Sequence, residues 1–592
     1  MASMSHLRIA SFPSLSNNSR KLLPSLSSIN HLKTTSSCSV KGRPIKCMTE
    51  GVETSEQTQV VRRSANYKPS IWNYSYIQSL KSDYLDETCK KRVNYLKGEV
   101  RMMLDQVMDP IHQLELIDVL QRLGLAYHFD NEIDTLLMSI FCNDEYKNEK
   151  DLHAAALGFR LLRQHGFNVP QEIFIRFLNE STGNFSESFS NDTKGLLSLY
   201  EVSYLSIENE SILEKAREFA TAHLQEHVND QETTIKHALE LPLHWRMPRL
   251  ESRWFIDVYE KREDKNHILL ELAKLDYNMV QAIHQEDLKH MSRWWSNTGL
   301  AEKLSFSRDR LMENYLWTVG VFYEPQFGYD RRMLTQINAL ITTIDDVYDI
   351  YGSLEELKLF TDAVERWDIN AIEQLPDYMQ ICFLALYNSI NEMAYDAMKQ
   401  QGICIISYLK KSWADLCKAY MLEAEWYYSG YKPSLQQYID NAWISISAPL
   451  ILVHVYFFVT NPVTKEGLVC LEKYQNIIHW SSMILRLAND LGTSSEELQR
   501  GDVPKSIQCY MNESGASEEE ARDHIRHLIN VTWNKMNEDR VTNLPFSRDF
   551  IRIAMNLARM AQCMYQHGDG HASQDQVTKD RVLSMLIQPI KL

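Results

Sequence analysis

The stretch IDDVYD, Ile344 to Asp349, places Asp345, Asp346 and Asp349 within five positions, inside a run (NALITTIDDVYDIYG) that is otherwise mostly Leu, Ile, Val and Tyr. If the run is helical, Asp345 and Asp349 lie four apart on one face and Asp346 flanks them. Carboxylates this close repel one another, and burying them unpaired is costly. A hard divalent cation answers both problems, because Mg²⁺ takes oxygen ligands and is held by one or two carboxylates together with phosphate oxygens. A solvated acidic helix face would give the same letters, so the motif alone leaves both readings open.

A second oxygen-rich set stands in SSMILRLANDLGTSSEELQRGDVPKS. Asn489, Thr493 and Glu497 follow at four-residue intervals, with Asp490 beside the first. On a helix the three drift by only about 80°, so a carbonyl, a hydroxyl and a carboxylate share one face. Gly492 within that helix costs about 1 kcal/mol of propensity, which points to close packing there. A capped amphipathic helix is the plainer alternative, and the apolar run before Asn489 speaks against it.

Together these stretches carry a resemblance. DDVYD at 345–349 and NDLGTSSEE at 489–497 resemble the paired metal motifs of plant class I terpene synthases. RRSANYKPSIW, with Arg62 and Arg63 followed by Trp72, is similar to the tandem-arginine signature of the monoterpene branch. FSRDR (306–310) and RGDVPKSIQCYM (500–511) fit the same family, so the likeness runs from Arg62 onward. It implies an all-α chain of two helical domains: an α-barrel-like N-terminal domain over 62–265 and a class I terpenoid synthase bundle over 266–592. The DxDD motif of protonation-initiated cyclases is absent.

The implied reaction is ionisation of geranyl diphosphate to an allyl cation with release of diphosphate. The resemblance implies three Mg²⁺, with Mn²⁺ as a substitute, held by Asp345, Asp346 and Asp349 on one side and Asn489, Asp490, Thr493 and Glu497 on the other. Arg308, Arg486 and Lys505 match the family's diphosphate donors, with Arg310 in the same patch. Trp317 and Tyr565 resemble aromatics that face the cation, which a desolvated π face favours by about 2 kcal/mol; ordinary core packing is the alternative for each. Pro449 inside a helix would free the carbonyl of Ser445 towards the cavity, although a packing kink explains it equally. Asn338, seven residues before Asp345, should line the pocket about 10 Å deeper. Related isoprene-forming enzymes carry a bulky aromatic at that place. Asn leaves room for ten carbons and could orient water.

Arg62, Arg63 and Trp72 belong, by the same likeness, to a segment that closes over the site and is linked to isomerisation. They favour a cyclic product of the limonene, α-terpineol or 1,8-cineole type. Acyclic linalool, myrcene or ocimene is the alternative, followed by a sesquiterpene synthase or a chain-elongating prenyltransferase. An inert helical scaffold is the rival from another class.

The elements that must position these residues read as helices almost throughout after Tyr67, with three- and four-residue apolar spacing broken by turns such as NESTGN. A more polar stretch between about Asp230 and Asn266 marks the joint of the two halves. The longest apolar run, Ala448 to Val459, is too short to span a bilayer and reads as a buried helix. Formal net charge is -16, which argues against nucleic acid and anionic membrane partners, and ten scattered cysteines with no CxxC pair suit a reducing compartment. A soluble monomer is expected. Residues 1–49 hold twelve serines, seven Lys or Arg and no acid, the composition of a transit peptide, so 1–61 is read as a plastid leader. Its removal leaves a still more acidic chain, in which an anionic substrate must be held by local cations.

Overall fold

The computed structural model describes residues 62–143, 149–228, 233–542, 544–572 and 574–592. The expected leader lies outside the described residues. What is described is helical, with a lone antiparallel bridge between Leu178 and Phe185. Capping chemistry sets where helices begin. Asp86, Asp109 and Asp151 each accept from the backbone N–H three residues on. Ser353, Ser434 and Ser517 form reciprocal capping boxes with Glu356, Gln437 and Glu520.

Two hydrophobic cores result. The first is built mainly from Val93 to Tyr277 and the second mainly from Leu288 to Leu586. The 32-residue helix His267–Thr298, capped by Asn266 and ended by Gly299 at φ 68°, serves both. Its Leu272, Leu275 and Tyr277 enter the first core, and its Leu288, Met291 and Trp295 enter the second. Chain segments also cross over. Ile77 and Leu80 pack in the second core, and Ile590 packs in the first. Asn278 grips Ile590 by donating to its carbonyl (2.8 Å) and accepting from its N–H (2.7 Å). From Arg62 onward the described residues form one compact unit. The polar joint expected near 230–266 is therefore no loose linker: Thr233–Glu240 and Pro248–Glu260 are helices, and Ile256 is fully buried.

Buried ion pairs register the helix that carries the aspartates, Gly328–Asp346, against the long helix. Arg331 and Arg332 both reach Asp287, at 3.0 and 2.6 Å, and Arg331 also donates to Glu324 O at 2.6 Å. Leu435–Val459 taken together is long and apolar enough to cross a membrane, yet 72% of its apolar window is buried in the protein. It is also two helices, Leu435–Ser445 and Ala448–Val459, separated by Ser447 at φ 66°. The expected kink at Pro449 within one helix is thus a full break just upstream. Pro449 sits in the first turn of the second helix, where a missing N–H loses no intrahelical bond.

Gly492 lies within the helix Ile477–Arg500, as its sequence context implied. A Cβ there would stand 2.9 Å from Tyr565 Cβ and 3.0 Å from the carbonyl oxygens of Tyr565 and Gly568. Overpacking against backbone costs about 1–3 kcal/mol, against about 1 kcal/mol returned by helix propensity. Gly492→Ala is expected to lower the thermal midpoint followed by circular dichroism; an unchanged or raised midpoint would contradict this packing.

Candidate active site

Asp345 and Asp349 line a cavity of about 150 Å³, and Asn489, Thr493 and Glu497 line it from the Ile477–Arg500 helix. The aspartate helix ends in a wide π turn, Val347–Tyr351, closed by the Gly352 N–H on Val347 O at 2.8 Å. Both aspartates stay on the cavity side across that turn. Asp346 does not line it. Fully buried, it accepts from Ser307 Oγ (3.1 Å) and from the Arg308 N–H (2.7 Å). Asp490 is likewise turned inward, accepting from Tyr438 OH (3.0 Å) and the Ser506 N–H (3.2 Å). Both stand one position past a cavity residue, and one step along a helix rotates a side chain by about 100°. Their placement is therefore that of anchors, where the motif had grouped them with the ligands.

Three cations meet these oxygens. Arg308 pairs with Asp345 (2.5 Å) and stands 2.9 Å from Asp346. Arg486 bonds to Asn489 and lies 3.0 Å from Asp490. Lys505 sits 3.6 Å from Glu423 and 3.8 Å from Glu497. Burial opposes charge on all three, but the neighbouring acids outweigh it and hold each pKa above its ordinary value. Arg310 does not join them. Its guanidinium is spent on carbonyls of Lys68 (3.1 Å) and Ala572 (3.2 Å), so it ties the N-terminal segment to the C-terminal loop. The stretch before Leu311 is not helical, so the two-residue spacing from Arg308 does not set its direction.

One of these oxygens is unmatched: Glu497 Oε2 is buried without a hydrogen-bond partner, an arrangement that costs free energy unless something else satisfies it. Arg308 Nε and Arg486 Nε stand against the carboxylates of Asp346 (2.9 Å) and Asp490 (3.0 Å). Asp349 is exposed at the mouth of the cavity. Among the described residues no three His, Cys, Asp or Glu side chains converge on one point. The donors suit cations whose coordination is completed by a ligand's own oxygens, the pattern typical of Mg²⁺.

Below this mouth the cavity is less polar. Trp317 and Tyr565 face each other at 5.9 Å between ring centroids, and both line it. Asn338 lines it too, with Nδ2 donating to Thr318 Oγ1 at 3.2 Å. Ser445 lines it beside the helix break, its hydroxyl bonded to Glu423. Sequence reasoning missed Tyr67, Glu423, Asp569 and His571, which line the same cavity. Tyr67 stands in the quoted arginine segment, 5.2 Å from the Arg308 guanidinium. Asp569 follows Tyr565 by four residues and accepts the N–H groups of His571 and Ala572. His571, held by Asn314 at 2.9 Å, is pushed down to about 3 by burial and so is neutral at working pH. Glu423 is one of three acids on its helix, with no pattern to single it out.

The N-terminal segment is clasped over this mouth. Arg62 makes a two-pronged bond to Glu356 (2.8 Å each), donates to Tyr351 O (2.9 Å), and sits over the rings of both Tyr351 and Tyr378. Arg63 donates to the main-chain carbonyl of Asp349 (2.9 Å) and pairs with Asp502 (2.5 Å). Trp72 is half-buried against the second core.

The metal-binding domain of the terpene synthase family matches residues 296–535, and the terpene synthase N-terminal domain matches residues 71–241. The chain belongs to the terpene synthase family. Two curated members, (-)-alpha-terpineol synthase of Vitis vinifera and chloroplastic myrcene synthase of Quercus ilex, are 63% and 61% identical. They align over 94% and 93% of this chain and 95% and 93% of their own lengths. Among solved terpene synthases, limonene synthase with 2-fluorolinalyl diphosphate superposes with a TM-score of 0.88 at 51% identity, covering 90% of this chain and 100% of that one. Isoprene synthase of grey poplar, with three Mg²⁺ ions and dimethylallyl-S-thiolodiphosphate, superposes with 0.82 at 47% identity, covering 88% and 99%.

Burial acts to raise Glu356, but bonds from Arg62, the Ser353 backbone and Tyr378 hold it at about 2 against an ordinary 4.5. A depressed carboxyl stabilises the clasp fully above about pH 4.5, and that contribution is lost as pH falls towards 2. In this terpene synthase the segment should stay closed at pH 6–8. Glu356→Gln is expected to speed tryptic cleavage after Arg62 and Arg63 by about tenfold, read by mass spectrometry; wild-type cleavage rates would refute the clasp.

Proposed function

We propose that this terpene synthase is a plastid monoterpene synthase that ionises geranyl diphosphate. The observation that carries the reading is the mouth itself: three cations, Arg308, Arg486 and Lys505, set among carboxylates that include the unmatched Oε2 of Glu497, above an aromatic-walled pocket. When bound, divalent metal supplies positive charge for the departing diphosphate; Asp345, Asp349, Asn489, Thr493 and Glu497 would hold it as Mg²⁺, three ions as in the grey poplar enzyme, with Mn²⁺ suiting the same oxygens.

The chain's own residues do the rest. Arg308, Arg486 and Lys505 stand where fixed donors can take the charge that builds on diphosphate as the allylic C–O bond breaks and its electron pair leaves with oxygen. Trp317 and Tyr565 offer π faces to the hydrocarbon cation without a nucleophile. Arg62 and Arg63 hold the N-terminal segment shut, which keeps water from the cation and places Tyr67 beside Arg308. The tandem arginines favour a cyclic product, and likeness to an alpha-terpineol synthase supports it; likeness to a myrcene synthase supports the acyclic alternative. Domains over 62–265 and 266–592 fit two cores that share one helix, and a leader ending by 61 leaves the clasp intact.

Protein starting at Arg62, incubated with geranyl diphosphate and Mg²⁺, should yield ten-carbon products by gas chromatography with mass detection. Turnover of farnesyl diphosphate alone would defeat the ten-carbon assignment. Asp349→Asn is expected to lower turnover about 10²–10³-fold, and wild-type turnover would remove Asp349 from the machinery. Asn338→Phe should shorten the cavity and change the ratio of alcohol to hydrocarbon; an unchanged ratio would remove Asn338 from product control.

A further inference from the structure

Arg548, Arg552 and Arg559 stand at i, i+4 and i+11 of the helix Arg548–Tyr565, so their side chains leave it within about 40° of one another. Arg540, from the last turn of the helix Glu518–Val541, meets the same surface, with its Nη1 3.2 Å from Met555 Sδ. Two of the four are matched. Arg548 pairs with Asp134, and Arg552 pairs with Glu324 and, at 3.0 Å, with Asp549. Among the described residues Arg540 and Arg559 meet no carboxylate. Arg559 donates to His244 O and Asn556 Oδ1, at 2.8 Å each. The side chain of Arg540 has, among the described residues, only the thioether, a weak acceptor.

Other buried arginines of this chain are treated differently. Arg163, Arg249 and Arg331 each have an acid: Glu210 at 2.5 Å, Asp276 at 3.4 Å and Asp287 at 3.0 Å. Arg540 and Arg559 also lie where the two halves of the chain meet. A Cβ on Gly166 would stand 3.4 Å from the Arg540 carbonyl, and Arg559 holds the main chain of His244. The buried His244 is kept neutral, its pKa driven well below the ordinary value by burial and then by both arginines. Burial and neighbouring arginines pull Arg540 and Arg559 themselves below the ordinary arginine value, to about 10 and about 9, so both stay charged at neutral pH. The C-terminus of the Arg540 helix offers only about half an elementary negative charge against two guanidiniums. Neither side chain is fully enclosed, so an anion can reach them from solvent.

We infer that this junction binds a phosphate-type oxyanion between Arg540 and Arg559. A guanidinium fork matches the oxygens of phosphate in pairs, and such bonds close to about 2.7–2.9 Å. A dianion cancels the two charges that the chain leaves unmatched. Bound there, it ties the two helices that carry the arginines to the His244 main chain, and so to the N-terminal half. Neither arginine lines the catalytic cavity, and the site does not depend on what the cavity turns over.

The full wild-type chain in low-millimolar inorganic phosphate is compared with the same chain in sodium chloride of equal ionic strength. Phosphate is expected to raise the thermal midpoint by about 2 °C and to slow hydrogen exchange about threefold or more in peptides over 536–562. Equal protection by chloride is mere screening and overturns the site. Phosphate held at the cavity mouth acts equally in Arg540→Gln, so that variant isolates the junction. Without phosphate its midpoint should match or exceed wild type, because a repelled cation is gone; with phosphate it should fall below. A deficit of the same size in both buffers makes Arg540 a packing residue and is fatal, as is a full phosphate response in the variant. Should Arg540→Gln fail to fold, Met555→Glu, which sets a carboxylate beside Arg540, should abolish the phosphate response, and a persisting response there overturns the inference. Inorganic diphosphate in the same buffers separates the two sources of the oxyanion: protection of 536–562 by either supports the site, and protection by neither refutes it.

Discussion

Arg308 is wedged against two adjacent aspartates, and much of the active-site architecture is arranged around that contact. Asp346 takes the Arg308 N–H and the Ser307 hydroxyl, while the Arg308 guanidinium turns back to Asp345. One carboxylate therefore fixes the backbone of the Ser307–Arg310 stretch, and the other shares its side chain with the cavity. Two residues on, Arg310 bonds to the carbonyls of Lys68 and Ala572. An irregular stretch between helices thus joins the aspartate helix, the N-terminal segment and the C-terminal loop. Buried like charges are tolerated because each has an opposite charge in contact, and those contacts put segments far apart in sequence side by side.

The parts of this site legible in the sequence were those governed by helical repeat. Asp345 and Asp349, and Asn489, Thr493 and Glu497, meet across the cavity because residues four apart share a face whatever else the chain does. The all-helical fold was legible for the same reason. Asp346 and Asp490 were grouped with their neighbours by motif, although one residue's rotation sends each to an arginine, a hydroxyl or a backbone amide. Arg310 and Pro449 depended on irregular backbone, where spacing carries no direction. Ser447 ends a helix with positive φ, a place glycine usually takes, so composition gave no warning of the break. Glu423 and His571 were invisible because a single polar residue acquires a role only from what packs against it.

The clasp and the mouth share atoms. Glu356 closes a capping box with Ser353 and takes Arg62 on the same carboxylate, so one side chain starts a helix and fastens a segment nearly three hundred residues upstream. Arg63 reaches the main chain of Asp349. Closing the segment and setting the turn that carries a cavity aspartate are therefore one structural event. A lid joined in this way is part of the site's geometry as well as its cover.

The grip of Asn278 on Ile590 bears on the order in which the molecule can be made. The two residues are separated by 312 positions, yet both oxygen and nitrogen of the Asn278 side chain are bound there, beside the first core. A nascent chain has long since finished the helices of that core when Ile590 emerges. The first core therefore gains its last residue only after the whole second half has been synthesised. The two halves thus differ in architecture, yet the completion of the first depends on the far end of the second.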